Sequence, residues 1–274
     1  MEFILDVGSH SLKLYRRLEK TQRIETQLVE TVTWEPMGGA EEASAAVVEN
    51  LVQNVRKSAP RVPMTAFGTE AMRRNATLAR LAEATFDQLD VRFQIISQET
   101  EAHLIRRAAM ATGAAAGQDI VNAGGGSIQI IRPEGAPQLL RFGIVDLNEE
   151  FNLLGSPAHR DLTGCTEFLT HSLPEAMGSF MYTGGELTYL RHFGVPVRGG
   201  RCARDAFTTL AHRLEGLTVD QLMRDSPYDP KWMKGAIASN RIVMALLDRS
   251  GADAFVPSDL NIGHGVAAQV TQAD

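Results

Sequence analysis

The chain has 274 residues, 44% of them hydrophobic, which is enough for one large core or two ordinary ones, and the length favours two domains. No run approaches eighteen apolar residues, and the opening "MEFILDVGSH" has neither a basic start nor a small-residue cleavage site, so neither a membrane span nor a secretory signal is expected and a cytoplasmic location is. A net charge of −6 argues against a general binder of nucleic acid or membrane surfaces, and two cysteines without metal-ligand spacing, Cys165 and Cys202, read as plain small residues of a reducing compartment.

In chain order, the apolar run "FILDV" is followed by Gly8 and Ser9 and then by "SLKLYRR", where Leu12, Leu14 and Arg16 alternate with Lys13 and Tyr15, a hairpin pattern. Residues 24–32, mostly polar and β-branched, read as the edge strand of an antiparallel meander. A helix over about 40–57 carries Val47, Val48, Leu51 and Val55 on one stripe. "MTAFGTEAMRR" predicts a short strand, a turn and a helix start with Thr69 at the N-cap, and 78–89 a further helix. After the strand "VRFQIIS", the segment "SQETEAHLIRRAAMATG" predicts a helix. It opens on capping-box spacing, Ser97 to Thr100 or Gln98 to Glu101, and closes at Gly113.

The small, flexible stretch "GAAAGQD" (113–119) is the candidate boundary between domains, set at 1–115 and 116–274, with the terminal helix free to pack back on the first. Beyond it the first pattern returns: strand "DIVNA", a glycine turn, strand "SIQII", a turn at "RPEGAPQ" and strand "LLRFG". Aligning the turns lays Asp6-Val-Gly-Ser-His-Ser11 over Asn122-Ala-Gly-Gly-Gly-Ser127, so the halves read as repeats of one plan. Helices follow over about 145–154 and 165–173, a strand near 181–183, and a helix opened by Gly184-Gly185. Helices over 204–214 and 230–249, the strand "AFVPS" and a terminal helix from about 263 complete the chain.

Two glycine turns between strands, one per half, suit phosphate binding. Backbone N–H groups in such turns converge on anions, glycine permits close approach, and Ser9, Ser11 and Ser127 add hydroxyl donors. Taken singly, each turn reads equally as a tight hairpin. Likewise Glu101 alone reads as a capping glutamate, Asp6 as a turn former, and Arg73 beside Arg74 as a solvated pair. The stretch holding Arg191, Arg198, Arg201, Arg204 and Arg213 reads either as a polyanion track or as a solvated face.

In their order and separations, "FILDVGSHSLKLY", "AFGTEAMRR", "IISQETEAHLI", "NAGGGSIQII" and "PSDLNIGHG" resemble the exopolyphosphatase/guanosine pentaphosphate phosphohydrolase (Ppx/GppA) family, of the actin-like superfold, over almost the whole chain. The resemblance implies an α/β protein of two actin-like (ribonuclease H-like) domains with mixed sheets and the site in the cleft between them. Against the first loop, D-x-G-S-N-S, Asp6, Gly8, Ser9 and Ser11 match and His10 replaces asparagine. Thr69, Ala71 and Arg73 match T-x-A-x-R, which makes Arg73 the phosphate-facing arginine. Glu101 matches the glutamate that serves as general base in E-E-A-R-L-I, with His103 in place of arginine. Against D-I-G-G-G-S-T-E, Gly124, Gly125, Gly126 and Ser127 match, while Asn122, Ile128 and Gln129 replace aspartate, threonine and glutamate. Gly184-Gly185-Glu186 resembles a further G-G-T turn.

The implied reaction removes a terminal phosphate from polyphosphate or a guanosine polyphosphate. Glu101 and Arg73 are the catalytic pair, and Gly8, Ser9, His10, Ser11, Gly124, Gly125, Gly126 and Ser127 cradle phosphate. Mg²⁺ is held by Asp6 and, weakly, by Asn122 and Gln129, whose neutral oxygens attract it less than carboxylates do. The replaced carboxylates equally fit a catalytically impaired relative that senses a phosphorylated ligand, and an actin-like small-molecule kinase is the third alternative. No nucleic-acid or membrane partner is implied, and a homodimer stays open.

Overall fold

A computed structural model describes residues 1–20, 23–33, 41–113, 117–175 and 177–269. The boundary expected between 115 and 116, and the first residue of the helix expected over 40–57, lie outside the described residues. The chain divides into two compact units, Met1–Ala111 with Ile262–Asp274, and Thr112–Asn261. The C-terminal segment, counted above with the second domain, therefore belongs with the first unit.

In the first unit, strands β1 (Glu2–Val7), β2 (Ser11–Lys20) and β3 (Arg23–Thr33) form the antiparallel meander. Helix α1 (Glu41–Ser58) leads to β4 (Met64–Gly68). Helix α2 (Glu70–Arg74), α3 (Ala76–Gln88), β5 (Arg92–Ile95) and α4 (Gln98–Ala111) follow. β1 pairs with β4, and β4 with β5, in parallel, giving the order β3-β2-β1-β4-β5. Being central, β1 is buried on both faces; Leu5 and Val7 pack with Leu12, Val52, Ala66 and Phe86 in one core.

In the second unit come β6 (Asp119–Ala123), β7 (Ile128–Ile131), β8 (Gln138–Leu140), α5 (Ile144–Glu150), α6 (Leu162–Ser172), β9 (Phe180–Thr183) and α7 (Glu186–His192). They are followed by β10 (Val197–Arg198), β11 (Arg201–Ala203), α8 (Arg204–Glu215), α9 (Val219–Met223), α10 (Ala236–Ser250) and β12 (Ala254–Pro257). The sheet order is β10-β11-β12-β9-β6-β7-β8. Five of its strands, β8-β7-β6-β9-β12, repeat the first sheet in order and in the parallel or antiparallel sense of each pairing. The duplicated plan is thus a property of the fold, with the β10–β11 hairpin added at one edge. Among the described residues no helix is long and apolar enough to cross a membrane.

Local departures from expectation have local causes. Thr69 precedes α2 but does not cap it: its hydroxyl donates to the carbonyl of Val7 at 3.3 Å, tying the helix start to the end of β1. At the start of α4, Ser97 acts as a cap, its hydroxyl accepting from the Thr100 amide at 3.2 Å. The helix read over 230–249 is a 3₁₀ turn, Pro230–Gly235, followed by α10. The hairpin β10–β11 was readable as "VRGGR", since Gly199 and Gly200 both take positive φ (55° and 77°), as a two-residue hairpin turn requires. Helix α9 was readable as the capping box Thr218–Gln221.

Helix α11 (Ile262–Gln269) completes the first unit by crossing α4 without side chains between the backbones. A Cβ on Gly265 would lie 2.0 Å from the carbonyl oxygen of Leu104, and one on Gly263 would lie 2.6 Å from the Tyr15 ring. His264 packs edge-on to that same ring, centroids 5.3 Å apart.

Candidate functional site

The β1–β2 turn closes when the Gly8 amide donates to the carbonyl of Ser11 at 3.2 Å. A Cβ at Gly8 would stand 2.9 Å from that oxygen, so the turn is tight enough to need glycine. Within it Ser9 is buried, and its hydroxyl has no hydrogen-bond partner among the described residues. Leaving such a group unmade costs about 1–3 kcal/mol, so the hydroxyl is a donor open to water or to a ligand. Asp6, at the end of β1, is also buried; desolvation pushes its carboxyl up to about 6, with Lys13, its partner across the hairpin, pulling the other way.

Glu101 lies in the first turn of α4, only 4% exposed. Its Oε1 accepts from Nη1 of Arg73 at 2.5 Å, and that same Nη1 donates to the carbonyl of Ile96. The rest of the Arg73 fork goes to Glu70, Nε at 2.9 Å and Nη2 at 2.5 Å, while Nε of Arg74 takes the other Glu70 oxygen at 2.9 Å. Burial pushes the Glu101 carboxyl up to about 7; Arg73 opposes this and the charges of Asp6 and Glu70 add to it. Desolvation works against the Arg73 guanidinium too, but its two carboxylates outweigh it and hold it above the usual arginine range. Arg73 thus grips Glu101 rather than presenting an open fork, and Glu70, which the motif reading passed over, holds it in place. The signal was present in "TEAMRR": a glutamate three and four residues before two arginines on one short helix.

The second turn repeats the first. The Gly124 amide donates to the carbonyl of Ser127 at 2.8 Å, and Asn122 stands across from Gln129 as Asp6 stands across from Lys13. At the second turn the side chains form a chain of neutral groups. The Thr183 hydroxyl donates to Oδ1 of Asn122 at 3.0 Å, Nδ2 of Asn122 donates to Oε1 of Gln129 at 2.6 Å, and Nε2 of Gln129 donates to Oγ of Ser127 at 3.0 Å. Both amide oxygens expected to reach Mg²⁺ are therefore already accepting. Among the described residues no group of three or more His, Cys, Asp or Glu side chains is placed to hold a metal ion. The second-unit donors do not fit the metal that the resemblance implies. Their neighbour Gly143 comes so close that a Cβ there would meet the Gly124 oxygen at 2.4 Å.

No protein-family model matches the sequence, and no curated protein sequence does. Solved structures do. An exopolyphosphatase from Cytophaga hutchinsonii superposes with a TM-score of 0.82 at 16% identity, covering 98% of this chain and 97% of that one. The Aquifex aeolicus member of the Ppx/GppA family gives 0.71 at 18% identity, with 98% and 97% covered. An exopolyphosphatase-like protein gives 0.76 at 14% identity, with 98% of each chain covered.

The chain has the Ppx/GppA fold.

On that Ppx/GppA frame, some residues singled out in the sequence stand apart from the two turns. His103 is exposed on α4. Arg201 and Arg204 are spent on the carbonyls of Ala254, Ala252 and Leu247 and on the Asp248 carboxylate, and Arg213 lies over the Phe193 ring, so they do not form a track. The Gly184-Gly185 turn is packed over by Tyr228 and Trp232, whose atoms lie 3.2 and 3.5 Å from where a Gly185 Cβ would be, and Glu186 is buried beside it. Thr183, which starts the hydrogen-bond chain of the second turn, was not among the expected site residues; the parallel register Asn122↔Thr183 brings it in.

Proposed function

We propose that the chain is a Ppx/GppA-type hydrolase that removes the terminal phosphate of a phosphoanhydride chain, polyphosphate or a guanosine polyphosphate, with Glu101 as general base. The observation that carries this reading is a nearly buried carboxylate, pushed up to about 7 and gripped at 2.5 Å by Arg73, in the same unit as a glycine turn with an unsatisfied hydroxyl. A base of that strength is half ionised near neutral pH, which is where proton transfer is most effective.

Water attacks the terminal phosphorus as the bridging P–O bond breaks; the water proton goes to Glu101, and the leaving phosphate keeps the electron pair of the broken bond. Once protonated, Glu101 no longer offsets the charge at Nη1 of Arg73, while Glu70 keeps the rest of the fork in place, so the charge that turns toward the phosphoryl oxygens is a partial one. The Ser9 hydroxyl and the turn backbone supply further donors. No step is assigned to Mg²⁺. The test is phosphate release from polyphosphate by purified protein. Glu101→Gln should slow it by about 10²–10⁴-fold, and equal rates would overturn the assignment of the base.

The neutral chain at Asn122 favours a second reading, a relative that binds the phosphate chain and turns it over slowly or not at all. Tight binding of tripolyphosphate without phosphate release would establish it.

A further inference from the structure

The hydrogen-bond chain at the second turn has a direction, and its direction has a chemical meaning. From Asn122 through Gln129 each amide donates to the next group, ending on the oxygen of Ser127, and at the head of the chain the Thr183 hydroxyl reaches Oδ1 of Asn122 at 3.0 Å, with the Val121 carbonyl at 3.3 Å as its other acceptor. Because that oxygen is already accepting, the Ser127 hydroxyl proton must go elsewhere, and Ser127 closes the glycine turn. Within the same turn the Gly125 amide has no partner among the described residues, while its carbonyl accepts from Val145 at 2.7 Å. Two donors are left for an anion, one of them strengthened by the polarised chain behind it.

Carboxylates at 122 and 129 would behave in the opposite way. Two acceptors held 2.6 Å apart, the Asn122–Gln129 separation, cannot both ionise without a proton or a cation between them. The amides remove that requirement, since each carries its own donor, and Gln129 is fully buried, so the arrangement is fixed by packing. Asn122 and Gln129 therefore do more than weaken a metal site.

We infer that the second turn takes a phosphate group without a divalent cation, the Thr183–Asn122–Gln129–Ser127 relay standing in for the metal by supplying a donor where a cation would supply charge. This rests on the reading of the glycine turns as phosphate cradles.

The experiment titrates the full chain with tripolyphosphate by calorimetry, in EDTA and in Mg²⁺, and separately with Mn²⁺ alone followed by electron paramagnetic resonance. The wild-type affinity in EDTA should lie within about threefold of that in Mg²⁺, and Mn²⁺ should show no stoichiometric site. Asn122→Asp combined with Gln129→Glu should lose about tenfold or more in EDTA, recover in Mg²⁺ and gain a Mn²⁺ site, a contrast set by carboxylate against amide ligation. Thr183→Val, nearly isosteric, removes the first donor of the relay; it should weaken tripolyphosphate severalfold in EDTA with an unchanged far-UV spectrum, and so serves if the double variant does not fold. Binding by the wild type only in Mg²⁺, or one Mn²⁺ bound per wild-type chain, overturns the inference and leaves the phosphate reading intact. No binding in either buffer overturns both.

Discussion

Glu186 opens α7 as a buried carboxylate, 5% exposed, whose Oε1 has no partner among the described residues. Burial pushes it up to about 8, and the charge of Asp259 adds to this. Its folded pKa lies above the unfolded one, so the folded state holds an extra proton between the two values. The stability this confers is complete below about 4.5 and is lost as pH rises through about 8. Asp6 and Glu101, raised to about 6 and about 7, act in the same direction over lower windows. Stability should therefore fall from pH 5 to pH 8, by as much as about 1.4 kcal/mol per pH unit for each group while it titrates. Glu186→Gln, which keeps the shape and needs no proton, should flatten the upper part of that fall. Melting temperatures of the two proteins across pH 5–9 decide it, and parallel curves would contradict the account. The sequence makes Glu101 stand out, through its place at a helix start and the motif around it. Glu186 does not stand out there, because Asp259, the carboxylate that raises it further, lies far along the chain and is brought near only by the fold.

The glycine turn between two strands is the element this molecule uses twice, and both copies could be read in the chain because glycines between short apolar runs mark them locally. What supports the second copy could not. Gly143 is nineteen positions from Gly124 and sits in ordinary extended backbone, so nothing nearby in sequence says that its hydrogen faces the carbonyls of Gly124 and Gly125. Gly143→Ala would place a methyl 2.4 Å from one carbonyl oxygen and 2.7 Å from the other, both backbone and unable to swing aside. The substitution should cost about 1–3 kcal/mol and weaken tripolyphosphate binding by displacing the turn. Denaturant unfolding and the calorimetric titration check the two effects, and an unchanged midpoint with unchanged affinity would show that the turn yields freely. The amide relay of the same turn was half legible. The departures at Asn122 and Gln129 were plain in sequence, but their mutual bond depends on strand register and its third member, Thr183, on a parallel pairing across sixty residues.

At the scale of the whole molecule, the repeated three-strand meander was readable from the order of elements, whereas the two parallel strands that extend the repeat to five came only with the sheet, and the assignment of α11 depended on two glycines whose contacts are long-range. Since α11 meets α4 backbone to backbone at Leu104, Gly265→Val should open that crossing, and removal of 262–274 should destabilise the first unit alone. Residues 112–261 made as a separate chain should still melt cooperatively, as judged by circular dichroism. Failure of that segment to fold would show that the division is not an energetic one. The same arrangement sets an order on synthesis. The ribosome makes α4 early and α11 only after Thr112–Asn261 has emerged, at a pace that implies a wait on the order of ten seconds. The unit begun first is thus the unit finished last, and until α11 arrives the nascent chain carries an uncovered helix that chaperones, or other copies of the same chain, can reach.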